Sequence, residues 1–279
     1  MDGRTSAEAQ AQTSPEARAD AREQADLFHQ GRETGGLYAR LCAEAFGDEY
    51  PELVDASSSC TWSVLADMIA GLRLRPGGLL VDLGCGRGGT GLWLARACSA
   101  RLVGIDFSPV AVGMASARVA DFLPERGGGA RFEVGTFEST GLPDACADGV
   151  VSMDALPFSP NRDAALSEVR RILKPGARAV FTASEKRPGH PRFSREEPTW
   201  RDRIERAGLE LEAERERPDE PGLWRRLYEL CEANERELRA QLGDAAAEQM
   251  LREARANTPI MDVAYRRALV FTVRAAVSP

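Results

Sequence analysis

Residues 79–91, LLVDLGCGRGGTG, constrain this chain more than any other stretch. Leu79, Leu80, Val81 and Leu83 read as a buried strand carrying one acid, Asp82, and that strand runs directly into a turn holding Gly84, Gly86, Gly88 and Gly89. Glycine is needed where the backbone takes positive φ or where a ligand lies directly against it. Four glycines in six positions exceed what a simple change of direction requires, so a flat, polar ligand is expected on the turn. Leu92, Trp93, Leu94 and Ala97 continue as a helix.

The next apolar run, RLVGID over 101–106, ends on Asp106, about 20 residues beyond the turn. At that spacing a second parallel strand brings an acid beside the first, where its carboxylate takes the two hydroxyls of a ribose. Gly84, Gly86 and Gly89 satisfy G-x-G-x-x-G, which keeps an NAD-binding oxidoreductase as an alternative. Asp82 weighs against it, because a pyrophosphate beside this carboxylate is repelled whereas an ammonium group is stabilised. An aminoacyl nucleoside fits better than NAD.

Taken together, VDLGCGRG, GIDFS and RILKPGA resemble the class I S-adenosylmethionine-dependent methyltransferases, especially the small-molecule branch of bacterial secondary metabolism and of quinone or sterol methylation. The resemblance covers roughly residues 62–181 and the last strand. It implies an α/β fold: a Rossmann-like, seven-stranded, doubly wound sheet with a helical N-terminal lid and a helical insertion between the last two strands. It also implies S-adenosylmethionine as cofactor and in-line methyl transfer to a small-molecule acceptor. In that arrangement Asp82 anchors the methionine amine, Gly84, Cys85 and Gly86 lie against the sulfonium substituents, and Asp106 with Phe107 holds the ribose. Thr61, with Trp62 beside it, approaches the methionine end, and Met153 and the Thr136 region border the adenine. Relatives usually carry Gly-Asp at that last position, where this chain has Gly135-Thr136. The adenine contact then falls to the threonine hydroxyl or to backbone groups at Thr136 and Phe137, and Phe137 lies either on the purine face or in the core. Cyclases and decarboxylases of the same fold supply a second alternative, a non-methylating use of the same pocket.

Ligands of open α/β sheets bind outside the carboxyl ends of the strands, so Ser152, Met153 and Asp154, at the exit of a fourth strand over 148–154, are expected to face the reacting sulfonium. Asp154 is a catalytic candidate. His190, in EKRPGHP after the fifth strand, is the leading proton acceptor, with Glu185 and His29 behind it. A base is required only if the nucleophile starts as a neutral alcohol.

Composition narrows the partners. A net charge of −7 and a pI near 5.2 argue against a nucleic-acid backbone. Six cysteines without C-x-x-C spacing and two histidines argue against a metal site and read as reduced thiols of a cytoplasmic protein. With no run of eighteen apolar residues and no charged-then-apolar leader, neither a membrane span nor a signal peptide is expected. The 279 residues divide into a disordered tail (1–14), a helical cap (15–60), a cofactor-binding core (61–217 and 264–279) and a helical lid insertion (218–263) that roofs the acceptor or pairs two copies as a homodimer. Expected elements are helices at about 61–72 (Trp62, Leu65, Met68 and Ile69 inward), 161–173 and 196–207. Strands are expected at 131–135, 177–183, 209–217 and 264–275, and the insertion reads as two helices, 223–241 and 245–255.

Overall fold

The computed structural model describes residues 15–33, 36–56, 58–123 and 129–277, so the expected tail over 1–14 lies outside the described residues. Helices α1 (Pro15–Glu33), α2 (Leu37–Phe46) and α3 (Trp62–Leu72) come first. An alternation follows: β1 (Leu79–Leu83), α4 (Gly89–Ala97), β2 (Arg101–Asp106), α5 (Pro109–Ala117), the short α6 (Val119–Phe122) and β3 (Ala130–Val134). It continues through β4 (Ala147–Ser152), α7 (Arg162–Ile172), β5 (Leu173–Lys186), α8 (Trp200–Arg206) and β6 (Leu209–Glu216). The insertion contributes α9 (Glu220–Ala233), α10 (Glu235–Leu242) and α11 (Asp244–Asn257), and β7 (Arg266–Ala275) completes the sheet.

The strands form one seven-stranded sheet in the order β3-β2-β1-β4-β5-β7-β6. β1 to β5 run parallel, and β7 lies antiparallel between β5 and β6. Successive strand residues face opposite sides of a sheet covered on both faces. Val81, Val103, Val150 and Phe181 pack under α7 and α8 against Val169, Ile172 and Trp200. Leu80, Leu102, Val151 and Val180 pack under α3 and α4 against Leu65, Met68 and Leu92. This arrangement is the class I methyltransferase fold, and no helix among the described residues is long and apolar enough to cross a membrane.

Several element boundaries differ from expectation for local reasons. The buried stripe of α3 is Val64, Leu65, Met68 and Leu72, while Trp62 and Ile69 turn outward. Gly71 explains the rotation: a Cβ there would stand 2.7 Å from both Thr272 and Val180, so this face meets β5 and β7 backbone-close. Helix α8 starts at Trp200 rather than 196, because Thr199 and Asp202 form a reciprocal capping box just after Pro198. Strand β5 starts at Leu173, directly after α7, rather than at 177; Gly176 takes φ +77° and the register against β4 shifts between Ala147 and Gly149. The insertion has three helices, not two, because Asn234 folds back on the Leu230 carbonyl at 2.8 Å and Gly243 takes φ +79°.

Candidate functional site

The glycine turn is built from the carboxyl ends of β1 and β2. Gly84 and Cys85 both donate their N–H groups to the Ile105 carbonyl, at 2.8 and 3.1 Å, which ties the turn to β2. Gly84 has φ +70°, and a Cβ there would stand 2.4 Å from the Ala155 methyl and 3.0 Å from the Phe137 ring. The half-buried Phe137 thus walls the turn and packs on the core under α7. Gly86 donates to Asp106 Oδ2 at 2.8 Å, and Ser108 N–H to Oδ1 at 3.0 Å. Burial pushes the Asp106 pKa up, opposed by these backbone donors and that of Phe107. The carboxylate is therefore oriented before any ligand arrives.

Asp82 is different. It is 1 % exposed, and burial raises its pKa to about 7, with the charge of Asp106 adding to the shift and the Gly91 N–H opposing it. Its Oδ2 has no hydrogen-bond partner. Cys85, between the two acids, has its thiol pKa pushed well up by burial and then by Asp82 and Asp106. An orphaned buried carboxylate oxygen beside a glycine cradle is what an ammonium-bearing nucleoside would satisfy.

Helix α1 crosses this end of the sheet. His29 lies so close to Gly86 that a Cβ there would stand 3.3 Å from its Cε1. The Ser108 hydroxyl, which also caps α5 through Ala111 N–H at 3.0 Å, donates to Asp26 of α1.

On the other side of β1, Asp154 sits at φ +52°, a left-handed conformation unusual for a residue with a side chain. A set of contacts holds it there: its N–H donates to Thr182 Oγ1 at 2.6 Å, Thr182 donates back to Oδ1 at 2.6 Å, and Ser59 N–H reaches Oδ2 at 2.7 Å. The Ser59 hydroxyl donates to the same Oδ2 at 2.5 Å, and the buried Arg217 clamps Ser59 through its hydroxyl at 2.9 Å and its carbonyl at 2.6 Å. The neighbouring Cys60 thiol is pushed up to about 12 by burial first and then by Asp154, with a smaller push from Asp82. Thr61 caps α3 through Val64 N–H at 3.3 Å. The 59–61 segment thus lies between the two acids.

Other expected site residues hold the walls. Ser152 is fully buried, donating to the Leu83 carbonyl at 2.8 Å and accepting from Leu156 N–H at 3.2 Å. Met153 packs in the core under α3, its sulfur 3.7 Å from the Thr182 hydroxyl. Phe107 is half-buried, whereas Thr136 is exposed, its backbone paired with Ser139. Glu185 and His190 are not brought to Asp82 and Asp154. Glu185 accepts from Trp200 N–H at 3.0 Å and pairs with Arg267 at 3.4 Å, so it serves the start of α8. His190 accepts Arg192 N–H on Nδ1 at 2.9 Å, and burial together with Lys186, Arg192 and Arg266 lowers its pKa.

Sequence reasoning missed Ser59, Arg217 and Glu220, a buried acid at the start of α9. Ser59 and Arg217 are separated by 158 positions, and no local pattern couples them.

Residues 81–181 match the profile of a methyltransferase domain. Over 135 residues the chain is 31% identical to the 27-O-demethylrifamycin SV methyltransferase of Amycolatopsis mediterranei, covering 48% of this chain and 47% of that protein. The chain spans between 27% and 47% of the length of the curated relatives it matches. Among solved structures, the [4+2]-cyclase SpnF superposes with a TM-score of 0.64 at 23% identity, covering 77% of this chain and 81% of that one. The geranyl diphosphate C-methyltransferase of Streptomyces coelicolor A3(2) superposes with a TM-score of 0.61 at 16% identity, covering 95% of this chain and 99% of that one. At these identities the superpositions speak to the fold.

Proposed function

Because the chain belongs, through its core, to the class I S-adenosylmethionine-dependent methyltransferase family, we propose that it binds S-adenosylmethionine and methylates a small-molecule acceptor. The observation that carries this reading is the pairing of Asp82, with its orphaned buried oxygen, and Asp106, held by Gly86 and Ser108, on neighbouring strands at one end of the sheet. Asp82 receives the methionine ammonium, Gly84 and Gly86 let the backbone approach, and Asp106 receives the ribose hydroxyls. Phe137, against Gly84, flanks the same ligand, and Thr61 and Cys60 close its methionine end. Bound there, the cofactor supplies a methyl group already activated by sulfonium.

The residues' remaining task is to orient the acceptor and exclude water. Orientation of this kind contributes up to roughly 7–11 kcal/mol of barrier lowering. Helix α1, with His29 over Gly86 and Asp26 on Ser108, covers the cofactor side. Helix α2 and the insertion cover the acceptor side, sharing one apolar cluster that includes Leu41, Phe46, Leu227, Leu238 and Leu251. Asp154, clamped by Ser59 and Thr182, shapes the floor between them. Titration calorimetry with S-adenosylhomocysteine tests the reading. The wild-type protein should bind it, and Asp106→Ala should weaken binding about a hundredfold or more, since two charge-assisted contacts worth about 1.5–3 kcal/mol each are lost. A wild-type protein that does not bind, or a variant with unchanged affinity, overturns the assignment.

A further inference from the structure

Four carboxyl groups among the described residues are less than a tenth exposed: Asp82, Asp106, Glu168 and Glu220. Glu168 is satisfied by Thr140 and Arg171, and Asp106 by Gly86 and Ser108. Only Asp82 and Glu220 of these four keep a buried oxygen with no hydrogen-bond partner. Buried acceptors are nearly always paired, so each calls for an explanation. The cofactor's ammonium explains Asp82; nothing in the cofactor site explains Glu220.

Glu220 is 3 % exposed, in the first turn of α9. Its Oε1 pairs with Arg266 at 3.0 Å, and its Oε2 is the orphan. The groups that act on it come from four elements: Arg266 of β7, Arg217 at the end of β6, Asp154 beyond β4, and the Trp224 indole of α9. Burial is the largest influence on its pKa and raises it. Asp154 acts both on Glu220 and on Cys60, and Cys60 also feels Asp82. Contacts join the same groups: Glu220 N–H donates to the Arg217 carbonyl at 3.2 Å, Arg217 holds Ser59, and Ser59 holds Asp154. Trp224 and Tyr228 follow Glu220 at four and eight positions, on one face of the helix. Their rings lie 5.4 Å apart, and the Tyr228 hydroxyl is held by Glu253 at 3.0 Å. Thus an acid and two aromatic rings share one face of α9.

We propose, resting on the methyltransferase reading, that Glu220 is the catalytic base: the acceptor is a protic one, and its O–H or N–H donates to Glu220 Oε2 beside Trp224. The acceptor's heteroatom forms its bond to the methyl carbon as the carbon–sulfur bond breaks and leaves its electron pair on sulfur. The heteroatom's proton passes to Oε2. One positive and one negative charge disappear together, so the burial that penalises an ionised Glu220 favours this step.

The test needs no knowledge of the acceptor. Sinefungin carries an amine-bearing carbon where S-adenosylmethionine has its methylated sulfur, and S-adenosylhomocysteine has there a neutral thioether sulfur with no methyl and no charge. Their affinity ratio therefore reports the field at the transfer position. Calorimetry on the full chain should show that Glu220→Gln binds S-adenosylhomocysteine as the wild type does but lowers the sinefungin preference about tenfold or more, the effect of one charge a few ångströms away. Glu220→Asp should keep most of that preference. An unchanged ratio in Glu220→Gln overturns the proposal, and so does a Glu220→Asp variant that loses the preference completely, which decides the matter even if Glu220→Gln fails to fold. Loss of S-adenosylhomocysteine binding by the wild type overturns the cofactor assignment instead.

Discussion

Asp82 is a carboxylate in a place that penalises its own charge, and the penalty has a sign. Its folded pKa near 7 lies above the ordinary 3.8, so between those values the folded chain holds a proton that the unfolded chain has released. Its contribution to stability is therefore complete below pH 4 and is lost as pH rises to about 7. Asp82→Asn should raise the melting temperature of the ligand-free protein at pH 8, with no gain at pH 4, while weakening S-adenosylhomocysteine. The upper bound on that gain is about 4 kcal/mol, from the size of the shift. Differential scanning calorimetry at the two pH values checks it, and equal stability at pH 8 would mean that Asp82 is neutralised in some other way. Gly84→Ala should be costly for two independent reasons, the positive φ and the collision with Ala155 and Phe137. A loss of about 2–4 kcal/mol in urea denaturation is expected. At this scale the legible features were those set by the local backbone: the buried acids Asp82 and Asp106 at the ends of their strands, and the positive-φ turn at Gly84 and Gly86. Glu220 was not legible, because an acid opening a helix reads as ordinary helix chemistry until Arg266, 46 positions away, is seen to pair with one oxygen and leave the other.

Among the elements, α2 and the insertion helices pack together. Helix α2 comes from the N-terminal region and α9 to α11 from the insertion, yet they share one apolar cluster separate from the two that flank the sheet. Leu251→Ala, at a position 0 % exposed in that cluster, should cost about 2–5 kcal/mol locally. Hydrogen exchange should then speed up in α2 and α9 to α11, while β1, β4 and β5 stay protected. Equal acceleration in the sheet would show that these helices and the core unfold together. The helical character of these segments was readable from their apolar spacing, whereas their division into three helices was decided by Asn234 and Gly243 at their joints.

For the whole molecule, ligand linkage gives the broadest check. A ligand that binds only the folded chain stabilises it by about 2.7 kcal/mol at a hundred times its Kd. S-adenosylhomocysteine should accordingly raise the melting temperature in a concentration-dependent way, and NAD should not. The reverse ranking would favour the oxidoreductase alternative. The sequence alone determined the alternation of strands and helices, the glycine turn and the two acids on either side of it, because these depend on residues within one or two elements of each other. Only the tertiary structure decided that Ser59 and Arg217 clamp Asp154, that α1 lies over Gly86, and that Glu220 stands buried with one oxygen unpaired. Those facts depend on side chains brought together across the sheet, and pairing, burial and charge coupling at such distances leave no periodic trace in the chain.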